Sequence, residues 1–219
     1  MDEITKLLQA IPQEPDILAR ERYFNCAVLV PLVKIDSQWH FLFQVRSPDI
    51  RQGSEICFPG GGFDDGLDKT LRDTAIRESY EELGVATENI ELLRQLDTLV
   101  SPTGVIVESY LGILHIKNLA ELQINREEVD KVFIVPIDFF VSENIEEYKI
   151  NVEMRPYDYD GGVRIETFPA KELGLPEKYH NSWGVQQHRA IIYRTKAGVI
   201  WGITAEIIYG IMQKWQALL

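Results

Sequence analysis

The stretch from residue 60 to residue 84 constrains this chain more than any other. Three consecutive glycines, Gly60, Gly61 and Gly62, lead into a segment whose apolar residues repeat with helical period. Leu71, Ala75 and Leu83 fall on one i, i+4 ridge, with Ile76 and Tyr80 beside it, which predicts a helix over 68–83. Asp68 is the expected N-cap, and Gly84 is a natural stop just past the end. The chain thus runs from a glycine-rich loop, 58–65, straight into an amphipathic helix.

The charge is concentrated in the same place. Residues 64–91 hold nine acids against three bases, half of the net charge of −12 on a 219-residue chain. Glu78, Glu81 and Glu82 stand at i, i+3 and i+4, so three carboxylates share one helical face within reach of a common ion. Like charges at that spacing weaken a bare helix, and anions near its C-terminus oppose the macrodipole. A divalent cation offsets such a cost, and carboxylate-only ligands suit a hard ion, Mg²⁺ or Mn²⁺. The alternative is a solvated acidic face salt-bridged to Arg72 and Arg77. The glycines favour the first reading, because backbone without Cβ can approach a phosphate or a metal closely.

Several function classes are excluded or disfavoured. No G-K-[S/T] follows the glycines and no G-x-G-x-x-G occurs, which removes the P-loop and the simplest dinucleotide site. A chain at −12 lacks the basic footprint of a nucleic-acid binder and is repelled by an anionic membrane surface. Cys26 and Cys57 cannot form a disulfide framework and have no zinc-finger spacing. They read as packed thiols in a reducing compartment, with redox sensitivity of Cys57 as the lesser alternative. His40, His115, His180 and His188 show no zinc-binding spacing. No G-x-S-x-G is present. The N-terminus is acidic and lacks the apolar core of a signal peptide, and the apolar run 26–33 is too short to span a bilayer. A soluble, cytoplasmic protein is the expectation.

Along the rest of the chain, strands are expected at 24–34 and 39–45 around a turn at Asp36-Ser37-Gln38, with a polar loop over 47–55. More strands are expected at 92–100, 109–116, 132–137, 163–168 and 189–194. A short amphipathic helix at 4–11 precedes a linker marked by Pro12 and Pro15, and Ala197-Gly198 turns into a closing helix at 203–218. No repeat or domain boundary is visible. One α/β domain over 1–219 accounts for the pattern, with the first helix and linker at 1–22.

R-E-S-Y-E-E-L-G-V at 77–85, behind a glycine loop, resembles the Nudix box, G-x5-E-x7-R-E-U-x-E-E-x-G-U with U aliphatic. Ser79 replaces the first aliphatic residue. Counting back from Arg77 puts the leading glycine at Phe63 and the first acid at Lys69, whereas a one-residue insertion restores Gly62 and Asp68. The sequence L-F-Q-V-R-S-P-D-I-R-Q-G-S-E-I-C-F-P-G-G at 42–61 is similar to the signature upstream of the box in the coenzyme A diphosphatase branch. Arg46, Ser47, Arg51, Phe58, Pro59, Gly60 and Gly61 match it; Gln44 stands at the usual Thr, and the interval from Arg51 to Phe58 is one residue short. W-G-I-T-A at 201–205 resembles the W-G-x-T-A opening that branch's last helix.

The resemblance implies a Nudix α/β/α sandwich around a mixed β-sheet. It implies cleavage of coenzyme A or acyl-coenzyme A to (acyl-)phosphopantetheine and adenosine 3′,5′-bisphosphate. It assigns Glu78 and Glu82, assisted by Glu81, to Mg²⁺ or Mn²⁺, with a carbonyl of Gly61 or Gly62 as a further ligand. Arg77 would orient the box glutamates, and Arg46, Arg51, Gly60 and Gly61 would meet the substrate. The general base is a box glutamate or one of Glu108, Glu128 and Glu166. Phe139, Phe140, Tyr157 and Tyr159 either line an acyl groove or belong to the core. Two other readings stay open: a Nudix hydrolase of ADP-ribose or a nucleoside triphosphate, and a non-catalytic nucleotide-binding module. Family members often form homodimers, and no residue pattern here marks an interface.

Overall fold

The computed structural model of the chain describes residues 2–13, 16–141 and 145–218. In order, the elements are α1 (Glu3–Ala10), β1 (Phe24–Ile35), β2 (Gln38–Arg46), β3 (Ile56–Cys57), β4 (Gly60–Gly62), α2 (Leu71–Leu83), β5 (Ile90–Gln95), β6 (Leu99–Ser101), β7 (Val105–Leu114), β8 (Val129–Pro136), α3 (Ile137–Val141), β9 (Ile145–Met154), β10 (Tyr157–Asp160), β11 (Val163–Glu166), β12 (Trp183–Thr195), β13 (Gly198–Ile200) and α4 (Gly202–Gln216). Helices cover both faces of a large mixed sheet, the α/β class expected.

β1 is the spine of that sheet. It pairs in parallel with β7 and antiparallel with β2 and β4. Ala27, Leu29 and Val33 pack toward α2, and Val30, with Cys26, Val28 and Leu32, packs on the opposite face. Burial on both sides explains why the strand is almost uniformly apolar instead of alternating. On the α2 face, Leu83 of α2 packs with Leu42, Val85 and Leu114. The opposite face carries Phe41, Phe43, Phe58 and Phe140 together with Ala205, Ile208 and Met212 of α4.

The edge of β1 is shared. β2 pairs with it only at Leu32–Ile35, and β4 pairs at Cys26–Val28. Beyond Phe41, β2 leaves β1 and runs between β8 and β3, with Gln44 opposite both Val132 and Cys57. The sheet therefore forks, and residues 56–62 cross the fork from β2 to β1. This corrects the expected glycine loop: Gly60–Gly62 is a short strand. At Gly60 the φ is +154° and a Cβ would lie 2.2 Å from the Ala27 carbonyl oxygen, so only glycine closes the fork there.

Other boundaries shift for legible reasons. α2 starts at Leu71, and its N-cap is Thr70, not Asp68; Thr70 accepts from the Asp73 N–H while Asp73 accepts from the Thr70 N–H. Tyr80 is exposed, and the ridge is completed instead by the fully buried Ser79 between Ala75 and Leu83. The strand expected at 92–100 divides into β5 and β6. The strand expected at 163–168 ends at Glu166 and pairs with β10 in a separate two-stranded sheet. A three-stranded sheet, β13-β12-β9, is not among the expected elements in full: most of β9 is exposed, and the alternation of Tyr148, Ile150, Val152 and Met154 with Lys149, Asn151 and Glu153 is the sequence signal that marks it. Residues 142–144, between α3 and β9, lie outside the described part. Among the described residues no helix is long and apolar enough to cross a membrane.

Replacing Thr70 by Ala removes one half of the capping box and is expected to cost about 1 kcal/mol. Urea unfolding of the two proteins measures it, with an unchanged m-value as the sign that only stability moved.

Candidate functional site

Arg77 organises the acidic helix. Its Nε donates to Asp68 Oδ1 at 2.9 Å, and its Nη2 donates to Asp68 Oδ2 at 2.9 Å and to the Gly62 carbonyl at 3.1 Å. Its Nη1 donates to Glu78 at 2.7 Å and to Glu81 at 2.9 Å. One cation thus ties α2 to the loop before it and to the glycine strand. Asp68, buried and also bonded by Thr74 Oγ1 and the Asp64 N–H, is held down at about 2 by the Arg77 hydrogen bonds. Asp68 therefore serves as the anchor of Arg77.

Glu82 and Glu78 face the glycine strand. Glu82 is 3% exposed, and its Oε2 accepts the Gly60 N–H at 2.8 Å. Burial pushes its carboxyl up to about 7, against the opposing pull of the Gly60 N–H. Glu78 lies so close to Gly61 that a Cβ there would sit 2.4 Å from the Glu78 Cδ. Burial raises Glu78 as well, Arg77 lowers it, and the charges of Glu81 and Glu128 raise it further. Two carboxylates are thus withdrawn from water against backbone that a side chain would block. That all-oxygen donor set and its glycine cradle fit a hard divalent cation.

The three box carboxylates do not converge as expected. Glu81 is the more exposed one and is turned to Arg77. Among the described residues no three Asp, Glu, His or Cys side chains form a ready metal cage. Arg46 stands near the site, its charge acting on Glu82 and Cys57, and its Nε donates to the Arg51 carbonyl at 3.2 Å. Arg51 contributes that carbonyl, while its side chain is exposed on the loop and forms no ion pair with the acidic cluster.

The three candidate bases separate. Glu128 is near enough for its charge to act on Glu78, and its carbonyl accepts the Ser47 N–H at 2.8 Å. Glu108 lies across β1 from Gly61, both opposite Ala27, and is bonded by Arg20, Gln95 and Tyr110. Glu166 pairs with Arg164 on the separate β10–β11 sheet. Of the suggested groove residues, Phe140 is core, Phe139 packs against it, Tyr157 stacks under Arg164, and Tyr159 is exposed. Burial pushes both thiols, Cys26 and Cys57, up to about 11, so both are packed thiols and not reactive thiolates. The residue sequence reasoning passed over is Gln44, fully buried beside Glu82 and Cys57. Its departure from the usual Thr was the available signal.

Residues 25–155 match the NUDIX domain family, more than half of the chain, and the chain belongs to that family. It is 35% identical over 116 residues to the peroxisomal coenzyme A diphosphatase NUDT7 of Mus musculus, covering 52% of this chain and 48% of that protein. It is 36% identical over 115 residues to Nudix hydrolase 3 of Caenorhabditis elegans, covering 51% and 47%. The chain spans about half the length of these two relatives. Similarity to an uncharacterized Nudix hydrolase, NudL, of Photorhabdus laumondii is 28% but extends over 98% of this chain and 97% of that one. A solved MutT/nudix family protein from Enterococcus faecalis superposes over 100% of this chain and 70% of its own at a TM-score of 0.45 and 14% identity.

The Asp68–Arg77 pair makes a pH prediction. A folded-state value near 2 against 3.8 unfolded adds stability that is complete above pH 4 and lost as pH falls through 2. Asp68→Asn is expected to lose about 2 kcal/mol at neutral pH, and its deficit to shrink toward zero by about pH 2. Urea unfolding across a pH series would show a flat deficit if the pair were not responsible.

Proposed function

We propose that this chain hydrolyses the diphosphate of coenzyme A or acyl-coenzyme A, using Mg²⁺ or Mn²⁺, to (acyl-)phosphopantetheine and adenosine 3′,5′-bisphosphate. The observation that carries the reading is the seating of Glu78 and Glu82 against Gly61 and Gly60. One buried and one half-buried carboxylate in a fork of glycine backbone are costly for a fold alone and suited to a cation. A cation bound there supplies charge neutralisation for phosphoryl oxygens and a more acidic water.

The remaining steps belong to side chains. Arg77 holds Glu78 and Glu81 in place and, saturated by five hydrogen bonds, is an orienting group and not a substrate ligand. Arg46, beside Glu82, is the group suited to a phosphate oxygen. Glu128, beside Glu78, is the favoured base to take the proton of the attacking water as the P–O–P bridge breaks. The coenzyme A substrate is supported by the 42–61 signature and by the likeness to the mouse diphosphatase. The binding-module reading loses one of its two motives, since Ser79 is buried on the helix ridge and its hydroxyl donates to the Ala75 carbonyl at 2.6 Å; the irregular front half of the box remains the other.

Wild type with coenzyme A and Mg²⁺ or Mn²⁺ is expected to release adenosine 3′,5′-bisphosphate, read by chromatography. Glu82→Gln is expected to lower turnover at least about a hundredfold, since a lost metal ligand removes several kcal/mol of transition-state stabilisation. Turnover of ADP-ribose or nucleoside triphosphates, with coenzyme A untouched, would move the reading to another Nudix substrate. Gly61→Ala is expected to displace Glu78 and to cost about a tenfold or greater loss in kcat with the fold intact by circular dichroism. An unimpaired Gly61→Ala enzyme would remove Glu78 from the site.

A further inference from the structure

Gln44 is the one buried residue at this site with no account in the fold. It is fully buried on β2, and neither its amide nitrogen nor its amide oxygen makes a hydrogen bond of normal geometry. Burying an unpaired amide costs on the order of 1–3 kcal/mol, and a Met or Leu would fill the same space without it. The alternation of β2 puts Gln44 on the same face as Leu42, the face that packs against α2. There it lies against the Glu82 carboxyl and the Cys57 thiol, on the wall of the fork opposite Gly60.

The two walls make different contributions. From the β1 side the Gly60 N–H already holds Glu82 Oε2. From the β2 side the Gln44 amide is the neutral donor near that carboxylate, with the Arg46 guanidinium the charged one. We propose that Gln44 is a positioning residue that, with the Gly60 N–H, clamps the Glu82 carboxylate in the orientation that receives the divalent cation. Its amide N–H completes a hydrogen bond to Glu82 when the carboxylate is engaged, and the unpaired amide is the cost of keeping that donor ready. The inference rests on the metal-dependent reading of Glu78 and Glu82. It also accounts for Gln at a position where the resembling signature has Thr, since both side chains carry a donor.

Mn²⁺ binding to the metal-free full chain, followed by electron paramagnetic resonance, tests it alongside thermal unfolding. Wild type is expected to bind Mn²⁺, and Glu82→Gln to bind it far more weakly. Gln44→Met keeps the length and removes the amide; it is expected to weaken Mn²⁺ about tenfold or more while its unfolding midpoint holds or rises. Gln44→Leu is expected to behave alike. If Glu82→Gln loses affinity and both Gln44 variants bind as wild type, the Gln44 inference is overturned and the metal reading survives. If affinity falls only in step with a falling midpoint, the amide serves the fold and the inference is likewise overturned. If wild type binds no Mn²⁺, or Glu82→Gln binds it equally well, the metal reading fails and carries this inference with it.

Discussion

The five hydrogen bonds of Arg77 are the interaction on which the rest of the site depends. Three glutamates within five residues of one helix repel one another, and nothing in helix propensity repairs that. A single guanidinium, planar and always charged, donates to two of them from one nitrogen, Nη1, and still reaches Asp68 and the Gly62 carbonyl with Nε and Nη2. The consequence is a division of labour among the acids. Asp68 anchors the arginine, Glu81 is neutralised near the surface, and Glu78 and Glu82 are left facing the glycine strand.

That strand exists because the sheet forks. β1 cannot pair with β2 along its whole length, and the unpaired N–H and C=O groups of Cys26–Val28 must be satisfied. Residues 60–62 satisfy them, and only glycine allows the backbone to come so close to Ala27 on one side and Glu78 on the other. The structural demand and the demand of a cation site coincide in the same three residues. A sequence selected for sheet closure alone would not also place the buried Glu82 and the half-buried Glu78 against it.

The legibility of this chain follows where physics leaves a local signature. The helix at 71–83 was readable from its period and from Gly84, because a left-handed C-cap at φ 63° selects glycine strongly. The N-cap was misplaced by two residues because Asp68 and Thr70 both have capping chemistry, and the choice is made by a contact with Arg77 nine residues on. The glycine strand could not be recognised as a strand at all. Its partner is 34 residues away, and glycines carry no β signature. The box glutamates were legible as a set by spacing. That Glu81 turns to Arg77 is an i, i+4 contact the spacing allows, whereas the place of Glu128 beside Glu78 depends on how β8 enters the sheet, which no local pattern encodes.

Ser79 shows how closely fold and charge are fitted. It sits one turn from Ala75 and one from Leu83, so the ridge that touches the sheet is small, small, then large. The serine hydroxyl returns its hydrogen bond to the helix at Ala75, so the small side chain leaves no polar group unpaired. What reads in the sequence as a departure from the box is, in the packed structure, a fully buried member of the helix ridge whose hydroxyl is satisfied within its own helix. On the same helix three residues on, Glu82 is buried and takes the Gly60 N–H, so one helix carries both the packing ridge and the carboxylate that faces the glycine strand.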